Sequence, residues 1–283
     1  MYTITKSANT RYCVKCVYMV NTATISCVFV LDKTVSGYYH TIYTHKKLEE
    51  RKMKIAGLQK LTLLDYPGKV ACTVFCPACN FRCPFCHNSP LVLLPGGADE
   101  IPVEDVLAYL NKRKGILEGV AITGGEPLLQ ADIVDFIREV KKMGFSVKLD
   151  TNGSMPDKLE LLISAELVDM VAMDIKNAPE LYAVTAGIEN PDLAAVTRSK
   201  DLLLENRVDY EFRTTVVRGL HTEQSLVSAA EWIRGARTYW LQGYRVNENI
   251  INPEGLTEFS PEELKAFAAK VAEIIPNTGV RGV

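Results

Sequence analysis

The densest chemistry in the chain is a run of four cysteines, Cys76-Pro-Ala-Cys79-Asn-Phe-Arg-Cys83-Pro-Phe-Cys86, followed by His87. Four sulfurs so close together are not apolar filler, because the prolines, Asn80 and Arg82 make this segment a loop rather than a core strand. Thiolates grouped in this way bind metal. Zinc on Cys76, Cys79, Cys83 and Cys86 is the conservative reading, although structural zinc normally joins two separated knuckles and the gap between these pairs is short. An iron–sulfur cluster, which needs thiolates on one compact loop, fits the spacing better.

A second set of polar residues recurs after short apolar runs. Thr123-Gly124-Gly125-Glu126-Pro127 follows one run, Asp150-Thr151-Asn152-Gly153 the next, and Asp174-Ile175-Lys176 the one after; Arg213-Thr214-Thr215 lies within a fifth run and Gln242 follows a sixth. Two adjacent glycines let backbone approach a ligand closely, and the carboxylate of Glu126 would complement an ammonium group. On its own such a string is a common turn.

Positioning these residues is the task of the elements between them. From Lys69 onward, short β-branched runs alternate with longer amphipathic stretches, the pattern of a parallel sheet with helical crossovers. Strands are predicted over residues 70–75, 119–123, 146–149, 168–173, 210–217 and 238–241. Helices are predicted over 102–114, 131–143, 156–164, 191–206, 222–234 and 261–275, the third opening on Pro156 and the last on Ser260 as N-cap. The expected fold class is α/β, a partial (β/α)6 parallel barrel. In such a barrel the carboxyl ends of all strands meet on one face, so residues scattered along the chain converge there.

Composition narrows the alternatives. The chain has 283 residues, 32 basic against 34 acidic, so it lacks the electrostatic footprint of a nucleic-acid binder. Eight cysteines in that length are far too dilute for a disulfide scaffold. The totals conceal an asymmetry at Met53: residues 1–52 carry eight Lys/Arg and three Asp/Glu, with one glycine and no proline. This segment is rich in Thr, Val and Tyr and favours strands. Its polar interruptions argue against a membrane span, and its start lacks the basic-then-apolar pattern of a cleaved signal. Cys13 and Cys16 with Cys27 and His40 or His45 could form a zinc site, but the irregular spacing favours incidental cysteines. The expected organisation is an extension over 1–52, lying upstream of a natural start at Met53, and a core domain over 53–283.

The spacing Cys79-x3-Cys83-x2-Cys86, with Phe85 before the last cysteine, resembles the signature of the radical S-adenosylmethionine superfamily, and Gly124-Gly125-Glu126-Pro127 resembles a second motif of that superfamily. The resemblance implies a [4Fe–4S] cluster on Cys79, Cys83 and Cys86, with one iron open to the amino and carboxylate groups of S-adenosylmethionine. It implies that Gly124, Gly125, Glu126 and Pro127 contact the methionine amino end, that Phe85 borders the cofactor, and that no catalytic side chain is needed beyond cluster and cofactor. Cys76 and Ala78 depart from the family pattern, which has a non-thiol residue and a glycine there; Cys76 is expected to be a spectator thiol.

The opening Leu61-Thr-Leu-Leu-Asp65-Tyr66-Pro67-Gly68 and the pair His87-Asn88 further resemble activating proteins of glycyl-radical enzymes, most of all those of anaerobic ribonucleoside-triphosphate reductase. That resemblance implies hydrogen-atom abstraction from a glycine of a partner enzyme, and a low-potential electron donor such as flavodoxin or ferredoxin. It implies that Asp150, Asp174 and Lys176 lie near the S-adenosylmethionine carboxylate, with a monovalent cation offsetting carboxylate repulsion. An oxygen-labile cluster and the lack of a targeting signal lead to the expectation of a cytoplasmic protein of an anaerobic or microaerobic cell, with no nucleic-acid or membrane partner. Two alternatives stand beside this reading: a small-molecule radical enzyme resembling 7-carboxy-7-deazaguanine synthase, and a non-catalytic zinc-bound interaction module.

Overall fold

The computed structural model describes residues 53–93 and 100–282 in full, and backbone strands within residues 2–44. The chain divides into two units, Met1–Arg51 and Lys52–Val283. In the first, strands β1 (Tyr2–Lys6), β2 (Arg11–Val20), β3 (Ala23–Lys33) and β4 (Tyr39–Thr44) form an antiparallel meander in chain order. The side chains of Cys13, Cys16, Cys27, His40 and His45 lie outside the described residues.

The second unit begins with β5 (Gly57–Thr62), paired antiparallel to β6 (Ala71–Cys76). After β6 come the cysteine loop, α1 (Ser89–Leu93) and α2 (Val103–Lys112). Strand and helix then alternate: β7 (Gly119–Gly124), α3 (Ile133–Lys142), β8 (Ser146–Thr151), α4 (Pro156–Ser164) and β9 (Met170–Asp174). Two consecutive helices, α5 (Tyr182–Ala186) and α6 (Leu193–Leu204), lead to β10 (Asp209–Val216). The chain closes with α7 (Glu223–Trp232), β11 (Tyr239–Gly243), α8 (Pro261–Ala272) and β12 (Thr278–Arg281). The eight strands of this unit lie in strict chain order, and every pair from β6 to β12 is parallel. That order, one strand beside the next with helical returns, is the partial barrel expected from the alternation.

All six predicted parallel strands are present, within two residues of their predicted bounds. The edge strands β5 and β12 and the short helices α1 and α5 add to the expectation. Strand interiors supply the core: Val120, Ile122, Val147, Leu149, Val171, Met173, Phe212 and Leu241 are fully buried. Helix ends follow their local chemistry. Ser260 caps α8 by accepting from Glu263 N, while the Glu263 carboxylate accepts from Ser260 N at 2.8 Å, a reciprocal arrangement that stabilises a helix start by about 1 kcal/mol. Among the described residues no helix is long and apolar enough to cross a membrane.

The Asp65-Tyr66-Pro67-Gly68 turn lies at the amino end of the parallel strands, opposite the cysteine loop. Thr62 Oγ1 accepts from the backbone N–H groups of Leu64 and Asp65, each at 3.2 Å, and Asp65 accepts from Thr73 of β6. Tyr66 is buried beneath the start of β7, so tightly that a Cβ on Gly119 would stand 2.9 Å from its ring. This turn closes the bottom of the barrel rather than contributing to the upper face.

Candidate functional site

The cysteine loop leaves β6 at Cys76 and is clamped at once by the turn after β7. Gly125 N donates to Cys76 O (2.9 Å) and Glu126 N to Ala78 O (2.8 Å). A Cβ on Gly124 would lie 2.4 Å from Cys76 O, and one on Gly125 would lie 1.9 Å from Ala78 O. The two glycines are therefore required by the close approach of the loop itself as well as by the cleft they border. From the other side, Arg82 N donates to Ala186 O at 2.9 Å, and Gly187, in the left-handed conformation, leaves room for Arg82 O.

Cys79, Cys83 and Cys86 line one cleft of about 230 Å³ at the carboxyl end of the strands, together with Phe85, Asn88, Gly124, Gly125, Asp150, Asn152, Asp174, Lys176, Arg213, Thr215 and Gln242. Residues spread from β6 to β11 thus converge as the barrel topology requires. Cys76 is fully buried and does not line the cleft. Burial pushes its thiol well above the usual range, and it stands apart from the cleft that Cys79, Cys83 and Cys86 share. Burial also pushes the Cys83 thiol up to about 11 and raises that of Cys79, with the Lys176 ammonium acting in the opposite sense on both. Three thiols on a compact loop, bordering an open cleft, fit a cluster that takes three protein ligands and leaves one corner to another molecule.

Across the cleft stands an array of paired charges. Arg213 donates through Nε and Nη2 to Asp174 Oδ1 (3.1 and 2.9 Å) and through Nη1 to Asp150 Oδ2 (3.2 Å). Lys176 donates to the second oxygen of Asp174 at 3.0 Å, and Lys148 pairs with Asp150. Burial alone would raise the Asp174 carboxyl, but the Lys176 and Arg213 charges outweigh it and hold the group down at about 2. Asp150 is likewise lowered, burial being overridden by Arg213 and Lys148. The repulsion that the resemblance assigned to a monovalent cation is already offset by Arg213, which sits between the two carboxylates.

Glu126 and Pro127 differ from the expectation. Both are buried behind the cleft and neither lines it. Glu126 Oε1 accepts from Leu128 N (3.0 Å) and Thr151 Oγ1 (2.9 Å), and Oε2 accepts from Asn152 N (2.7 Å). Its carboxylate ties the end of β7 to the end of β8 instead of facing a ligand ammonium. Burial pushes its pKa up to about 7 against the pull of those three donors. His221 is buried and bonded to Lys176 O at 2.8 Å, which gives it a packing role.

Lys148 is the site residue that sequence reasoning missed, and Asn152 was named only as part of the string Asp150-Thr151-Asn152-Gly153. Lys148 is 2% exposed and reaches the array from the interior of β8. For Lys148 the signal was present in the spacing, since Lys148-x-Asp150 places opposite charges on one face of β8.

A family model described as the radical SAM superfamily matches residues 73–233. The chain belongs to the radical SAM superfamily. Members carry a [4Fe–4S] cluster and use S-adenosylmethionine, and this chain is a radical SAM enzyme. Among its relatives, a protein of Methanocaldococcus jannaschii named as a candidate glycyl-radical enzyme activating enzyme is 31% identical over 197 residues, covering 68% of this chain and 80% of its own. The pyruvate formate-lyase 1-activating enzyme of Escherichia coli is 34% identical over 147 residues, covering 48% of this chain and 58% of that protein. The radical SAM fold recurs in SuiB of Streptococcus suis, solved with S-adenosylmethionine bound, with a TM-score of 0.59 at 15% identity over 72% of this chain and 48% of that one.

Proposed function

We propose that this chain activates a glycyl-radical enzyme, holding the [4Fe–4S] cluster on Cys79, Cys83 and Cys86 and binding S-adenosylmethionine in the cleft above it. The observation that carries the reading is the single cleft shared by those three thiols, the Gly124-Gly125 backbone and the Asp150–Arg213–Asp174–Lys176 array. A [4Fe–4S] cluster held by Cys79, Cys83 and Cys86 would supply the electron for reductive cleavage of a bound S-adenosylmethionine. The chain's own residues bind and orient. Gly124 and Gly125 bring backbone to the cleft wall, and Phe85, 6% exposed, packs beside the third cysteine. Three cations against two carboxylates leave the array one positive charge in surplus, which complements the carboxylate of an amino-acid ligand. Glu126 and Pro127 support this wall from behind.

The relatives named as activating enzymes support a protein substrate whose glycine gives up a hydrogen atom. The Leu-x-Asp-Tyr-Pro-Gly turn favours anaerobic ribonucleoside-triphosphate reductase as that partner, with a flavodoxin or ferredoxin as electron donor and the cytoplasm as location. The test is anaerobic incubation of the reconstituted protein, a reductant and S-adenosylmethionine with candidate glycyl-radical enzymes. The expected outcome is a glycyl doublet by electron paramagnetic resonance, with the reductase giving the strongest signal. Cys83→Ala should abolish both the doublet and 5′-deoxyadenosine; persistence of either refutes the role given to this cysteine.

A further inference from the structure

The segment just past β8 presents an amide to a cluster sulfur. Asn152 is 5% exposed, and its backbone N–H is fixed on Glu126 Oε2 at 2.7 Å. Its Oδ1 accepts from Ser154 N at 2.9 Å, which settles which end of the side chain is which. Nδ2 is thereby turned toward the cysteine loop, where it meets Asn80 Oδ1 at 2.9 Å and Cys79 Sγ at 3.7 Å. The same sulfur accepts from Phe81 N at 3.4 Å. The Glu126 carboxylate, excluded from the cleft, thus anchors the residue that reaches it.

We propose that Asn152 is a positioning residue that raises the reduction potential of the iron–sulfur cluster by donating a hydrogen bond to Cys79 Sγ. The inference rests on the cluster assignment above. Reduction adds one electron, taken from a low-potential donor, and neither forms nor breaks a bond at the protein. The added negative charge spreads onto the thiolate sulfurs, where an N–H donor stabilises it. The burial of Asn152 strengthens that interaction relative to one in water. Removing the donor should therefore make the cluster harder to reduce.

The experiment is an anaerobic redox titration of the reconstituted full chain with dithionite, read by electron paramagnetic resonance and paired with iron analysis. Asn152→Leu keeps the side-chain size and removes the donor. It should hold as much iron as the unsubstituted protein while the ratio of oxidised to reduced cluster at fixed potential rises about tenfold, a fall of about 59 mV for one electron. Asn152→Asp keeps the acceptor for Ser154 N and replaces the donor by an anionic oxygen, so its fall should be larger. Full iron with an unchanged or raised potential in either variant overturns the inference and leaves the cluster assignment intact. Loss of iron from both variants, with the unsubstituted protein loaded, also overturns it, because Asn152 would then be building the loop rather than tuning its cluster. Absence of iron from the unsubstituted protein refutes the cluster assignment itself.

Discussion

Glu126 and Asp174 are two carboxylates on the same rim of the same barrel, one after β7 and one at the end of β9, and their surroundings drive them apart. Glu126 is met only by neutral donors, Leu128 N, Asn152 N and Thr151 Oγ1, and burial holds it up at about 7. Asp174 is met by the Lys176 and Arg213 cations, which outweigh burial and bring it down to about 2. The difference separates two kinds of work. The β7–β8 side of the rim is a neutral strut holding the cysteine loop, whereas the β8–β10 side is a fixed array of charge facing the cleft. A carboxylate in a family motif is not thereby a ligand for the family's cofactor; its partners decide.

The sharpest way to break this comparison is to remove the cation that the charged side shares. Arg213→Met would leave Asp150 and Asp174 with one lysine each and no bridge between them. Breaking a buried pair by removing one partner costs about 3–5 kcal/mol, and urea denaturation of the cluster-free protein at neutral pH should show a loss of that size. Because the Asp174 pKa is depressed in the folded state, its contribution is complete above its unfolded value and is lost as pH falls through about 2. The gap between the two proteins should therefore narrow steadily below about pH 4. A gap that is small at neutral pH, or constant on acidification, would mean that the array is solvated and carries no such load.

The neutral side should show the opposite pH dependence. A carboxyl raised to about 7 in the folded state binds its proton more tightly there than in the unfolded chain. Stability from this group is greatest below its unfolded pKa and declines as pH rises toward 7. Glu126→Gln has no proton to lose, so the stability of the unsubstituted protein relative to this variant should fall by about 3 kcal/mol between pH 4.5 and 7. Parallel denaturation curves at half-unit steps would reveal it. A difference independent of pH would show that Glu126 ionises freely and has a cation or solvent beside it.

The sequence made the charged side partly visible and the strut hardly at all. Asp150, Asp174 and Lys176 stood out because each follows a short apolar run, so the barrel topology alone carries them to one face. Arg213 was visible as a polar residue within the fifth run, but its bridging position depends on the register of β9 against β10, where Arg213 lies opposite Asp174. Lys148 falls inside the predicted strand over 146–149 and drew no reading, although its two-residue spacing from Asp150 puts the pair on one face of β8. Glu126 read as a ligand because its motif says so; only the placement of Thr151 and Asn152 around it reveals otherwise. Among elements, β5 was hidden by its mixed pattern Gly-Leu-Gln-Lys-Leu-Thr and β12 by its four-residue length, too short for periodicity to register. The cysteine loop was legible throughout, because its residue types fit few alternatives.

One residue of that loop offers the finest adjustment of the strut. Ala78 has φ of +68°, the left-handed region in which an L side chain crowds its own backbone. Its conformation is held from both sides, its N–H donating to Leu91 O and its carbonyl accepting from Glu126 N, each at 2.8 Å. For an alanine this region costs about 1–2 kcal/mol, whereas a glycine adopts it freely but gives up about 0.4–1 kcal/mol through the greater freedom of its unfolded chain. Ala78 is partly exposed, so its methyl adds little packing to the balance. Ala78→Gly should thus stabilise the cluster-free protein by about 0.5–1 kcal/mol, read as a rise in the urea midpoint at unchanged slope. A neutral or destabilising result would mean that the clamp from Glu126 N already absorbs the strain, and that the neutral side of the rim is stiffer than its uncharged bonds suggest.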